Sequence, residues 1–239
     1  MRRRVQLLIA ALLMSAAGCA DPPAGVDGDL TDDWPPAPAA QQFRPAAGTC
    51  HAELPDDGAM ARYQPVPCTA EHLTETAAVV DLTDPADAHK HCARRADAFL
   101  GADWRLGWVV LQPVLPTEQA RAGGARWVRC DVAQTSPVDG DLVARRGSMR
   151  AGLRAGAPLR MACGNPTISN EQVTAMRPVT CAEKHRAEFA GLYESKRARP
   201  ADVTSAEMAK GCGTAIARFA GLPDDGDVPY RVGWLGFPP

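Results

Sequence analysis

Residues 66–75 read Val-Pro-Cys-Thr-Ala-Glu-His-Leu-Thr-Glu, and residues 179–188 read Val-Thr-Cys-Ala-Glu-Lys-His-Arg-Ala-Glu. In each stretch a cysteine is followed at the same offsets by a histidine and a glutamate: Cys68, His72, Glu75 and Cys181, His185, Glu188. Seventeen residues separate each of these cysteines from an earlier one, Cys50 and Cys163. The match resumes after a gap of variable length. Cys92 precedes Phe99 and Gly101 by the steps that separate Cys212 from Phe219 and Gly221, and Arg105, Gly107 and Trp108 answer to Arg231, Gly233 and Trp234. Self-similarity of this kind marks a repeated structural unit, here at 46–135 and 158–239.

Between the copies, residues 136–157 are rich in Gly, Ala and Arg and read as a connector with a short strand near 142–144. The first copy closes with Trp127 and with Cys130, which follows Trp108 by twenty-two residues. The same spacing from Trp234 falls near position 256, beyond Pro239, so the second copy is expected to be incomplete.

Each copy carries one clear helix. Asp84 caps Pro85 at the first helical position, and Thr204 with Glu207 forms a capping box, which predicts helices over 85–100 and 204–220. Ala88, Cys92, Ala96 and Phe99 share one face, as do Met208, Cys212, Ala215 and Phe219, and these apolar faces are expected to pack on a sheet. Short runs rich in Val, Trp and Thr at 62–68, 74–82, 106–112 and 126–132 read as strands. The fold class is therefore α+β: two tandem disulfide-stapled repeats, each of two strands, a helix and two strands, the second truncated.

Seven cysteines follow Cys19, and 105 arrangements give three pairs with one left over. Equivalent copies demand equivalent pairings. The simplest solution joins Cys50 to Cys68, Cys92 to Cys130 and Cys163 to Cys181, leaving Cys212 unpaired.

The N-terminus explains why disulfides are expected at all. Arg2, Arg3 and Arg4 precede an apolar run too short to span a bilayer, then the small residues Ala16, Ala17 and Gly18 before Cys19. This resembles a bacterial lipobox, with residues 1–19 as the signal peptide and Cys19 as the lipidated mature N-terminus; ordinary signal-peptidase cleavage nearby is the alternative. Either way the chain is exported, where cysteines oxidise. Residues 20–45, rich in Pro, Ala and Asp, read as a disordered tether. The formal charge is −2 for the whole chain and becomes −5 once three arginines leave with the signal, which argues against a nucleic-acid partner.

Two sharper chemistries compete at the His and Glu pairs. A zinc site or an activated thiol would need free thiolates, which bridged cysteines do not supply. His72, Glu75, His185 and Glu188 remain candidate binding residues, the blander reading being that each histidine hydrogen-bonds the chain just after a disulfide. His89 and His91 have no counterparts in the second copy and read as solvent-facing. Trp108 and Trp234 read as core residues. No phosphate loop, serine elbow or paired-histidine zinc motif is present, so neither catalytic residues nor a metal or cofactor is assigned.

The pattern of Gly48, Thr49, Cys50, then Val66-Pro67-Cys68 leading to His72 and Glu75, and again Arg177-Pro178-Val179-Thr180-Cys181 leading to His185 and Glu188, resembles the septum formation domain family. Such domains occur in surface lipoproteins and membrane proteins of high-GC Gram-positive bacteria. The resemblance implies a link to cell division and no particular chemistry. Together these features favour a lipid-anchored extracytoplasmic binding or scaffold protein, not an enzyme. It would sit on the outer face of the cell membrane, held by its N-terminal lipid, with an envelope protein or glycan as partner. The rivals are a metal-dependent envelope hydrolase using the His and Glu pairs, and a structural spacer without a specific ligand.

Overall fold

The computed structural model describes residues 42–170, 172–197, 200–223 and 228–233. Cys19, the signal segment, Trp234 and most of the tether lie outside the described residues. The elements are β1 (Cys50–His51), β2 (Pro65–Val66), β3 (Thr74–Asp81), α1 (Ala88–Leu100), β4 (Val109–Val114), α2 (Glu118–Ala122), β5 (Trp127–Gln134), β6 (Cys163–Ser169), β7 (Gln172–Val179), β8 (Ala187–Glu188) and α3 (Ser205–Ala220). The first five strands make one antiparallel sheet in the order β2-β1-β3-β5-β4, and the last three make a second in the order β7-β6-β8. The chain is thus α+β with disulfides.

Local chemistry sets the helix ends. The Asp84 carboxylate accepts from the Ala86 amide at 2.9 Å, and Pro85 opens a 3-10 turn that runs into α1. Gly101, at φ +87°, closes α1 in the left-handed conformation that an L side chain resists. Thr204 caps α3 by accepting from the Glu207 amide at 3.1 Å.

The buried face of α1 carries Ala88, Cys92, Ala96, Phe99 and Leu100. It packs with Val109 and Leu111 of β4 and with Val128, Cys130 and Val132 of β5. At the centre, Cys92 bonds Cys130 with a Cα–Cα distance of 5.1 Å, so one covalent bridge joins the helix to the sheet. Cys50–Cys68 and Cys163–Cys181 bridge similarly, at 5.2 and 5.1 Å. The buried tryptophans are Trp104 and Trp127, 5% and 4% exposed; Trp108, expected in the core, is only half-buried. His89 is also half-buried, its ring edge-on to Trp104 at 6.1 Å, and so does not simply face solvent.

Three expectations need correction. First, each copy was expected to begin with two strands, but three precede α1. Cys50–His51 is too short to show a period-2 pattern, yet it lies between β2 and β3. The short α2 between β4 and β5 also escaped the sequence reading.

Second, residues 136–157 do more than connect. Met149 and Leu153 are fully buried in the α1 core together with Leu159. Their backbone is tied in as well: the Ala151 amide donates to the Phe99 carbonyl at 2.9 Å, and that of Leu153 to Leu100 at 3.0 Å. Gly107 is required here, because a Cβ would stand 2.3 Å from Leu153 Cδ2. Scattered singly among Gly, Ala and Arg, these large residues carry no helical or strand period.

Third, the folded part begins before residue 46. The Phe43 carbonyl accepts from Trp127 Nε1 at 3.0 Å, and Arg44 pairs with Asp81 at 2.5 Å.

The two sheets share one register. Cys50 faces Val66 and Glu75, and Cys163 faces Val179 and Glu188, offsets of 16 and 25 residues in both. They differ at the far edge. β3 runs for 8 residues with β5 alongside almost its whole length, whereas β8 has 2 residues and, among the described residues, only β6 beside it. Extended backbone registers as strand where it finds a partner, so the missing neighbour shortens β8.

Chain-entropy arguments put the Cys92–Cys130 bridge at about 4 kcal/mol and Cys50–Cys68 at about 3 kcal/mol. The double variant Cys92→Ala, Cys130→Ala is therefore expected to lose more stability than Cys50→Ala, Cys68→Ala. The difference is read from urea midpoints at equal m-values.

Candidate functional site

The turn after the second cysteine is built identically in both places. The Ala70 amide donates to the Pro67 carbonyl at 2.8 Å, and that of Glu183 to Thr180 at 2.9 Å. Each turn aims a carbonyl at a histidine: His72 Nδ1 lies 2.9 Å from the Ala70 oxygen, and His185 Nδ1 lies 2.8 Å from the Glu183 oxygen. A carbonyl cannot donate, so Nδ1 carries the proton in both rings.

Beyond that the two sites part. Glu75 is 2% exposed, and its carboxylate accepts from Ser148 Oγ at 2.6 Å and from the Met149 amide at 2.7 Å. His72, 1% exposed, pairs by backbone with Arg145: each amide donates to the other's carbonyl, at 3.0 and 2.9 Å. His72 Nε2 and the Nε and Nη1 of Arg145 are buried with no hydrogen-bond partner among the described residues. Burial draws the Arg145 pKa down. His72 and Glu75 therefore act as two anchors for residues 145–149, and the segment they hold delivers Met149 and Leu153 to the core.

In the second site His185 Nε2 donates to Glu188 Oε1 at 2.7 Å. Both ring nitrogens now face acceptors, which favours the imidazolium, and the Glu188 hydrogen bond is the main cause of the raised His185 pKa. The pair can meet despite its three-residue spacing because His185 sits in the turn, ahead of β8, where strand alternation does not apply. This pair lies at the surface, unlike its counterpart.

Cys50, Cys68 and Glu75 gather within 4.8 Å of one another, as do Cys163, His185 and Glu188. All three of these sulfurs are in bridges. A disulfide sulfur has no thiolate to donate, so neither group suits zinc while oxidised. Cys212 is the free, half-buried thiol, and burial pushes its pKa up.

A third cluster was missed in the sequence. On the face of the first sheet opposite α1, Thr76 Oγ1 donates to Asp131 Oδ1 at 2.8 Å, and Asp131 Oδ2 accepts from Arg129, whose Nη2 lies at 2.8 Å. His51 Nε2 lies 3.2 Å from Thr49 Oγ1 and 3.4 Å from Thr76 Oγ1. Tyr63 covers them, its ring 5.3 Å from His51 and 5.6 Å from the Arg129 guanidinium. Burial, helped by Arg129, lowers the His51 pKa to about 4. Burial also raises that of Asp131, against the pull of Arg129. The available signal was the alternation in Trp-Val-Arg-Cys-Asp-Val at 127–132, with charged residues where a solvated face would put them.

A disulfide-clamped α+β unit of this kind suits an oxidising, extracytoplasmic setting. A protein-family model described as Septum formation matches residues 47–237, and the chain belongs to that family. No curated protein and no solved structure matches the chain.

Glu75→Ala leaves the Ser148 hydroxyl and the Met149 amide without their acceptor and should cost about 2–4 kcal/mol in chemical denaturation. Glu188→Ala should leave the midpoint unmoved. A second outcome concerns pH. His51 binds its proton more readily unfolded than folded, so its contribution to stability is complete above about pH 6.5 and falls as pH drops towards about 4. Asp131, with its raised pKa, works in the opposite sense. His51→Gln should therefore flatten the wild-type loss of stability between pH 6.5 and 4, measured as the urea midpoint against pH.

Proposed function

We propose that the chain is a lipid-anchored scaffold or binding protein of the bacterial envelope, built from two copies of one septum-formation unit and acting in septum formation without catalysis. The observation that carries the reading is the duplicated clamp: the same disulfide, the same two-sided register about Cys50 and Cys163, and the same histidine-to-carbonyl bond, all in one chain. Conserving a clamp twice while its surroundings change is what a binding framework does; an active site would need its groups kept free. Glu75, the most enclosed candidate acid, is fully engaged in holding residues 148 and 149.

The family supports the link to septation, and three disulfides agree with an extracytoplasmic setting. Anchoring rests on Cys19 and its lipobox-like context. Two acyl chains hold a protein stably where one holds marginally.

Cys19→Ala is expected to release the protein from the membrane fraction and to abolish labelling by a radioactive fatty acid. Immobilised protein carrying that substitution is expected to retain a defined envelope protein or glycan above a blank surface. A chain that stays membrane-bound after Cys19→Ala, or a surface that retains nothing, would overturn the corresponding half of the proposal.

A further inference from the structure

The second clamp brings four metal-ligating side chains to one place. Cys163 and Cys181 share a bridge, His185 comes four residues after Cys181, and Glu188 three residues after His185. The Cys163 sulfur, a His185 ring nitrogen and a Glu188 carboxylate oxygen all lie within 4.8 Å of one another, and the Cys181 sulfur is bonded to that of Cys163. Ligand atoms around a tetrahedral zinc stand about 3.3–3.8 Å apart, so side-chain rotations suffice to bring all four into range once the sulfurs part. The imidazole is already set for this. His185 Nδ1 donates to the Glu183 carbonyl at 2.8 Å, the outer hydrogen bond that orients most metal-binding histidines, and Nε2 is turned to Glu188 at 2.7 Å.

The first clamp lacks this set. Cys50, Cys68 and Glu75 gather there without His72, and both oxygens of Glu75 are engaged by Ser148 and Met149. Access differs as well. Cys50, Cys92 and Cys130 are fully buried and Cys68 is half-buried, whereas Cys181 is exposed. Of the three bridges among the described residues, Cys163–Cys181 is therefore the one that an incoming thiolate reaches most readily.

We propose that the second clamp is a redox-gated zinc site: once a dithiol has opened the bridge, Cys163, Cys181, His185 Nε2 and Glu188 hold one Zn²⁺. In the opening step a thiolate of the dithiol attacks the exposed Cys181 sulfur and Cys163 leaves as a thiolate. The second sulfur of the dithiol then closes its own disulfide and releases Cys181, so that two electrons and two protons pass to the chain. As zinc binds, both thiols give up their protons to solvent, and His185 Nε2 gives up the one that it donates to Glu188. Two thiolates and a carboxylate then face a doubly charged cation. With four protein ligands the site is closed, so the ion replaces the disulfide as the crosslink between β6, the turn and β8 and offers no open position for catalysis. Neither the lipid anchor nor a role in septation is needed for this chemistry.

The test uses the oxidised chain carrying Cys19→Ala and Cys212→Ser, reduced anaerobically by a limiting amount of a water-soluble phosphine in place of a dithiol, which would itself bind zinc. Alkylation and peptide mass analysis are expected to find Cys163 and Cys181 reduced while the other two bridges persist. The reduced chain should retain one zinc per molecule through gel filtration, and the oxidised chain none. Cobalt(II) in place of zinc should give the sulfur-to-metal charge-transfer band and the strong visible absorption of a tetrahedral site. His185→Ala and Glu188→Ala change surface side chains only and should each weaken zinc binding about tenfold or more. Several results would overturn the proposal: zinc held equally by the oxidised chain, none held even when zinc is present from the start of reduction, an octahedral cobalt spectrum, or unchanged binding in either variant. Opening of Cys50–Cys68 or Cys92–Cys130 ahead of Cys163–Cys181 would do the same. These readouts involve no membrane and no envelope partner, so they separate from the anchoring and retention tests above.

Discussion

A single helix on one small sheet buries too little apolar surface to be held there by packing alone with much to spare. Here the deficit is met at one point. Cys92 lies in the second turn of α1 and Cys130 midway along β5, both fully buried, and their bond fixes the distance between the layers. Phe99, Leu100 and Val132 then fill a space whose depth is already set. What lies on either side follows: β3 and β4 flank β5, residues 149–159 cover the open end of the helix, and Phe43 and Tyr63 cover the other face.

That constraint was legible in the sequence because the recurring Cys50–Cys68 and Cys163–Cys181 spacing left Cys92 and Cys130 to pair with each other in the simplest solution. The helix starts were equally plain, since Asp84, Pro85 and Thr204 act locally. What stayed hidden depended on distant partners. Met149, Leu153 and Leu159 look like stray apolar residues until Glu75, more than seventy positions earlier, is seen to hold their segment. Arg129 and Asp131 look like a solvated strand face until Tyr63 and the chain around Phe43 are laid over them. β1 was invisible because two residues have no period. At the candidate site, the four residues His72, Glu75, His185 and Glu188 were identifiable by type and spacing, but their partners were not, because those are set by whether a further segment packs against them.

The comparison between the two clamps shows how one local motif takes different electrostatic states. With residues 145–149 in place, the carboxylate of Glu75 is consumed by a hydroxyl and an amide, and His72 is left facing Arg145. Where no such segment is described, Glu188 turns to His185, and the imidazole gains a second acceptor. Sequence identity at these positions therefore does not imply identical hydrogen-bond partners. The neighbour decides.

The bridges also shape how the chain would respond to being pulled from its ends. A covalent crosslink shorts the loop it closes, so tension passes through sulfur and the enclosed residues stay slack. Cys50–Cys68 withholds roughly 60 Å of contour and Cys92–Cys130 roughly 130 Å, at the reach of an extended chain. Residues 92–100 of α1, all of β4 and residues 127–130 of β5 lie inside the larger loop. Under load this protein would yield at its unbridged stretches, while that part kept its shape.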